Sequence, residues 1–132
     1  MKVAVDTNVL LRLILRDDPV QHKIAESTFD QAEIVAVSNH ALCEVAWVLR
    51  SRYGVSRENI AASIRQICKT ANIVVDGGAV DAGFAAMDGG ADFADGVIAY
   101  EGRWLGGETF VSFDKKAVEA LAKQGIKAKL LG

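Results

Sequence analysis

Four carboxylates in this chain of 132 residues lie inside or at the end of apolar segments. Asp6 directly follows the apolar run 3–5, and Glu44, Asp95 and Asp114 have comparable surroundings. An aspartate before a helix often only caps it, so each position alone has an ordinary structural explanation. Because the arrangement recurs, we expect the four side chains to converge, and converging carboxylates stay ionised only when a cation neutralises them.

Glu44 is the only charged residue in the apolar segment 41–49, which reads as helix. An unpaired ionised carboxylate in such surroundings would cost several kcal/mol. We therefore expect Glu44 to be paired, protonated or bound to a cation. The purely structural alternative is an ion pair with Arg12 or Arg50.

The other two acids stand at the start of predicted helices. Asp92 is expected to be the N-cap of a helix that runs to about residue 102, with Asp95 three residues later on the same face. Asp114 follows the apolar segment 110–113 and opens the next helix, where its ordinary role is again a cap.

A divalent cation would resolve the charge of four converging acids. His22 and His40 are interpreted as surface or capping residues, so the ligands would be carboxylate oxygens. Hard oxygen ligands favour Mg²⁺ or Mn²⁺ over Zn²⁺. Such a site suits phosphodiester hydrolysis, because the metal lowers the pKa of a bound water, orients the phosphate and stabilises the leaving oxygen.

Predicted strands alternate with predicted helices along the chain. Short apolar runs predict strands at 3–5, 34–37, 73–75, 109–112 and 126–131. Helices are expected to begin after capping residues, among them Asp18 before Pro19, Ser38 and Ser56. This alternation predicts an α/β fold, in which a parallel sheet of about five strands carries helices on both faces. The acids would then lie beyond the carboxyl edge of the sheet, where ligands bind.

The spacing of apolar residues also predicts which helix faces are buried. In the helix after Asp18 we expect Ile24, Ser27 and Thr28 on the inner side. In the helix after Ser56, the inner stripe is expected to contain Ile60, Ile64 and Ile67, together with Ala61 and Cys68.

Composition indicates one globular domain spanning residues 1–132, since 51% of the residues are hydrophobic and 24% are charged. A net charge of -2 argues against a surface devoted entirely to nucleic acid, although a cation in an acidic site would change the local charge. Cys43 and Cys68 are expected to be buried free thiols in a reducing compartment. No signal peptide or membrane-length apolar run is visible, so we expect a cytoplasmic protein.

The sequence resembles PIN-domain ribonucleases, and among them the VapC-type toxins of toxin–antitoxin pairs. The matching segments cover nearly the whole chain in order, and they are Val5–Leu10, Glu44 in its apolar helix, Asp92–Ala99 and Val111–Asp114. By this resemblance Mg²⁺ or Mn²⁺ is bound by Asp6, Glu44, Asp95 and Asp114. The resemblance gives supporting roles, holding water or orienting a carboxylate, to Asn8, Asp92 and Ser112.

The resemblance implies an endoribonuclease with its first strand at the centre of the sheet. It also implies a homodimer and a small antitoxin that blocks the acidic pocket. Two positions depart from the family pattern. Ser112 stands where threonine is frequent and keeps the hydroxyl, and Gly96 stands where alanine is commoner, which is expected to loosen its helix.

Two other functions compete with this interpretation. One is a PIN-like module that binds RNA or a partner without catalysis, although a decayed site would usually have lost one of the four acids. The other is a phosphatase of the haloacid dehalogenase type, which also places an aspartate after its first strand. That chemistry requires a second carboxylate two residues later, where this chain has Asn8.

Overall fold

The alternation of strands and helices is present in the structure, a computed structural model that describes residues 1–132. The chain forms two compact units, Met1–Val75 and Asp76–Gly132. The first contains β1 (Lys2–Ala4), α1 (Thr7–Leu15), α2 (Pro19–Gln31), β2 (Ile34–Ala36), α3 (Asn39–Ser51), α4 (Arg57–Cys68) and β3 (Ile73–Val74). The second contains α5 (Gly77–Asp88), α6 (Phe93–Trp104), β4 (Phe110–Ser112), α7 (Lys115–Lys123) and β5 (Ala128–Leu130).

All strand pairs are parallel, which confirms the α/β prediction. In the first unit the strand order is β1-β2-β3, with Val3 opposite Val35 and Val35 opposite Ile73. In the second unit β4 pairs with β5, and Phe110 lies opposite Ala128. The expected sheet of about five strands with β1 at its centre is wrong in detail, because the main sheet has three strands and β2 is the middle one. Apolar periodicity reveals how many strands there are, but it carries no information on which edges pair.

Every helix begins at the kind of capping residue that the sequence predicts. A side-chain oxygen of the cap accepts a backbone N–H three residues later at 3.0–3.2 Å in the helices capped by Asp6, Asp18, Ser38, Ser56, Asp76 and Asp114. The remaining cap is Asp92, at the start of α6. These bonds satisfy backbone donors that have no partner inside a helix.

The inner face of α4 is confirmed, since Ile60, Ile64 and Ile67 are buried together with Ala61. The inner face predicted for α2 is wrong. Ala25 and Phe29 are buried there, whereas Ile24 is 61% exposed. Residues four apart share a helix face, so placing Ala25 and Phe29 inside turns the neighbouring Ile24 towards solvent.

The cysteines are free thiols, as expected, but both are half-buried rather than buried. Burial raises the pKa of the Cys68 thiol, because desolvation disfavours the thiolate. No helix combines the length and the apolar character required to cross a bilayer.

In the second unit α6 lies unusually close to α5 because of Gly96. A Cβ atom at Gly96 would lie 2.6 Å from the carbonyl carbon of Ala82 and 2.9 Å from the Cα of Gly83. The rings of Phe84 and Phe93 meet edge to face beside this contact, with centroids 5.7 Å apart. Glycine at this position therefore allows the two helices to pack closely, a role that the sequence did not indicate.

The loop before β3 is tied to the end of α2 by the side chain of Asn72. Its amide nitrogen donates to the carbonyl oxygens of Phe29 at 2.7 Å and Ala32 at 3.0 Å. Both carbonyls belong to the last turn and cap of a helix, where no further helical N–H is available to them.

We expect Asn72→Ala to lower the free energy of unfolding by about 1–3 kcal/mol, because two partly buried carbonyls lose their donor. Urea denaturation monitored by circular dichroism measures the change. The matched control is Asn59→Ala, since Asn59 is exposed on α4 and its side chain forms no hydrogen bond. This control should stay within about 0.5 kcal/mol of the parent, and equal losses in both variants would contradict the assigned role.

Candidate functional site

Asp6 joins the end of β1 to the start of α1. Its backbone is extended, and its Oδ1 atom accepts the N–H of Val9 at 3.1 Å. The capping role that the sequence allowed is therefore confirmed. The side chain is exposed, and its second oxygen, Oδ2, remains available to a ligand. Asp6 and Asn8 border a groove of about 680 Å³ between β1, α1 and α2.

Glu44 lies on the exposed face of α3, and about half of its side chain is accessible to solvent. The expectation of a costly, apolar environment for this carboxylate is wrong. The buried face of α3 carries Leu42, Val45 and Leu49. Only one stripe of a helix is buried, so an uninterrupted apolar run also places residues on the solvent side.

The partners of Glu44 differ from the arginines that the sequence suggested. Its Oε1 atom accepts the hydroxyl of Thr7 at 3.1 Å and lies 2.8 Å from Nε2 of His40. Arg12 instead pairs with Asp17 at 2.7 Å. Because Thr7 directly follows Asp6, its bond to Glu44 joins the start of α1 to α3 and brings these two acids into one neighbourhood.

Sequence reasoning missed Thr7 and the contact between His40 and Glu44. His40 is 84% exposed, as expected for a surface residue, and the spacing of four residues before Glu44 was a usable signal. No signal of that kind exists for Thr7, because its partner lies 37 residues away in sequence.

Asp92 and Asp95 form a pair at the start of α6. The backbone N–H of Asp92, the predicted cap, donates to Oδ2 of Asp95 at 3.1 Å. Asp95 is half-buried and Asp92 is exposed. This bond fixes the side chain of Asp95 relative to the backbone of the cap.

Asp114 follows β4 and caps α7. Its Oδ1 atom accepts the N–H of Ala117 at 3.2 Å, and its own N–H donates to the hydroxyl of Ser112 at 2.9 Å. The side chain is exposed, and Oδ2 takes no part in the cap. Ser112 thus holds the backbone of Asp114, and threonine at this position would carry the same hydroxyl.

The donor chemistry of these residues fits a hard divalent cation. The four acids offer only carboxylate oxygens, and at Asp6, Glu44 and Asp114 one oxygen holds the local structure while the other is available. Mg²⁺ and Mn²⁺ prefer such ligands. Within either unit taken alone, no group of three or more His, Cys, Asp and Glu side chains is placed to hold a metal ion. The assignment of the four acids to one ligand set stays a prediction.

A family model of the PIN domain matches residues 3–123. The matched segment contains all four acids and the three residues predicted to support them. Among curated proteins no significant relative was found.

Proposed function

The chain belongs to the PIN domain family, whose members are generally nucleases, and on that premise we propose that it is a Mg²⁺- or Mn²⁺-dependent endoribonuclease. One observation carries the proposal: the family match spans residues 3–123 and includes Asp6, Glu44, Asp95 and Asp114. Carboxylates without a protein nucleophile suit hydrolysis of a phosphodiester bond by a metal-assisted route.

We propose that the metal is held by Asp6, Glu44, Asp95 and Asp114. A bound Mg²⁺ or Mn²⁺ ion supplies an activated water and neutralises charge on the phosphate. The protein's contribution is to hold the carboxylates in place. Glu44 accepts a hydrogen bond from a hydroxyl, and each of the three aspartates accepts one from a backbone N–H group. Thr7 and His40 orient Glu44, and the supporting residues are Asn8, Asp92 and Ser112.

We further propose that the chain is a single PIN domain over residues 1–132 and acts as the VapC-type toxin of a type II pair in the cytoplasm. Its partners would be RNA as substrate, a second copy of itself and a cognate antitoxin that covers the acidic pocket. Expression of the chain alone should arrest growth, and co-expression of a small DNA-binding protein encoded next to it should relieve the arrest. Unimpaired growth on expression of folded protein would contradict the toxin role.

Metal removal tests the enzymatic proposal directly. We expect the purified protein to cut a fluorescently labelled single-stranded RNA with Mn²⁺ or Mg²⁺, and to lose at least about 100-fold in rate with excess EDTA, because the acids alone cannot activate water. Adding Mn²⁺ back should restore the rate. Gel electrophoresis of the RNA measures both steps. RNA binding without cleavage under any metal condition would favour the non-catalytic module instead.

A further inference from the structure

Trp47 exposes 62% of its surface on α3, although tryptophan is usually largely buried in proteins. It lies on the helix face opposite the buried stripe of Leu42, Val45 and Leu49. The same exposed face carries Glu44 one turn earlier. A large exposed aromatic ring beside a proposed metal ligand requires an explanation that core packing does not supply.

The geometry of the helix directs this ring towards Glu44. Residues three apart on a helix have Cβ atoms roughly 5–6 Å apart. Helical side chains lean towards the N-terminus of their helix, so the indole is expected to lie over the turn that contains Glu44. By the same rule Arg50, three residues after Trp47, is expected to lean towards the indole. Arg50 is exposed and forms no ion pair, so its charge is available to an anion.

We propose that Trp47 stacks on an unpaired base of the RNA, next to the phosphodiester that the metal at Glu44 would hold, and that Arg50 contacts a neighbouring phosphate. This inference rests on the proposed function, and it identifies Trp47 as the residue that makes the protein prefer single-stranded to double-stranded RNA. Every base offers a π face to an aromatic ring, whereas a paired base inside a duplex does not. A carboxylate for the metal, a ring for the base and a guanidinium for the phosphate thus follow one another along one helix face.

Fluorescence tests the stacking without requiring catalysis. The chain has two tryptophans, so Trp104→Phe leaves Trp47 as the only indole. Titration with a short single-stranded RNA at low salt, with Ca²⁺ replacing Mg²⁺ or Mn²⁺ so that the acids stay neutralised while cleavage is suppressed, should quench the Trp47 emission. The same RNA with an abasic site at the stacked position should quench much less. The matched control is Trp47→Phe, in which the exposed Trp104 of α6 should report no quenching.

Kinetics should show the same preference. Trp47→Ala is expected to raise KM for single-stranded RNA about tenfold and to leave kcat within about twofold, since stacking contributes to binding. Trp47→Tyr should recover most of the loss. Abasic RNA should raise KM for the parent protein but not further for Trp47→Ala, because the two changes remove the same contact. Trp104→Ala serves as the control for loss of an exposed tryptophan and should behave as the parent.

Several results would overturn the stacking. An equal rise in KM for Trp47→Ala and Trp104→Ala would do so, as would equal quenching by intact and abasic RNA. Trp47 emission that changes with protein concentration in the absence of RNA would assign the ring to a protein interface. Cleavage without a Trp47 signal would remove this inference alone, whereas quenching by RNA in a protein that never cleaves would remove the proposed function alone.

Discussion

Asp6→Asn is expected to reduce Mn²⁺-dependent RNA cleavage by about a thousandfold and to leave the fold unchanged. The substitution exchanges an anionic oxygen for a neutral amide, so a bound cation loses one charged ligand, worth about 4 kcal/mol of transition-state stabilisation. Asparagine caps helices as well as aspartate does, and its side-chain oxygen can still accept the N–H of Val9. The expected result is therefore a folded and inactive protein, measured by cleavage rate and thermal melting on one preparation.

The matched control for this variant is Asp18→Asn. Asp18 caps α2 with the same type of hydrogen bond, accepting the N–H of Gln21 at 3.0 Å, and it is not among the proposed metal ligands. This variant should retain both the melting temperature and the cleavage rate of the parent. If Asp6→Asn cut RNA as fast as Asp18→Asn, Asp6 could not be a metal ligand.

Gly96→Ala should be the most destabilising conservative change in the second unit, with a loss of about 3 kcal/mol. The added Cβ would overlap the backbone of Ala82, and backbone moves less readily than a side chain. This overlap outweighs the gain of up to about 1 kcal/mol that alanine brings to a helix interior. Thermal melting should show a decrease of about 10 °C.

Gly102→Ala provides the control on the same helix, because no atom lies within 4 Å of a Cβ built at Gly102. Here the helix propensity of alanine acts alone, and the variant should be as stable as the parent or slightly more so. Two variants of identical chemistry on α6 are thus expected to differ clearly in stability, with only Gly96→Ala below the parent. Equal melting temperatures for the two would contradict the close approach of α5 and α6.

Local features of the fold could be predicted from the sequence, and long-range features could not. The caps at Asp18, Ser38 and Ser56 were predictable because each bond spans three residues. The α/β class followed from the alternation of short apolar runs with helices. The strand order was not predictable, because the pairing of β2 with both β1 and β3 is decided by packing between segments distant in sequence.

For the candidate site, the sequence identified the residues but not their surroundings. Glu44 was selected because its apolar neighbours in sequence suggested burial, but its side chain is half exposed. A helix buries only one face, and a continuous apolar run does not show which residues lie on that face. The spacing of residues in the sequence could not predict its contact with Thr7, because the two residues are 37 positions apart. The capping roles of Asp6 and Asp114 were weighed as alternatives to metal binding, yet the structure has room for both, because a cap occupies one oxygen of each carboxylate.

At Asp6 and Asp114 one carboxylate oxygen caps a helix and the other is available to a ligand, and this arrangement has a genetic consequence. An aspartate codon becomes an asparagine codon by one transition, and at Asp6 or Asp114 that change spares the helix cap. If the chain acts as the proposed toxin, cells that express it can therefore escape through alleles that still encode a folded protein.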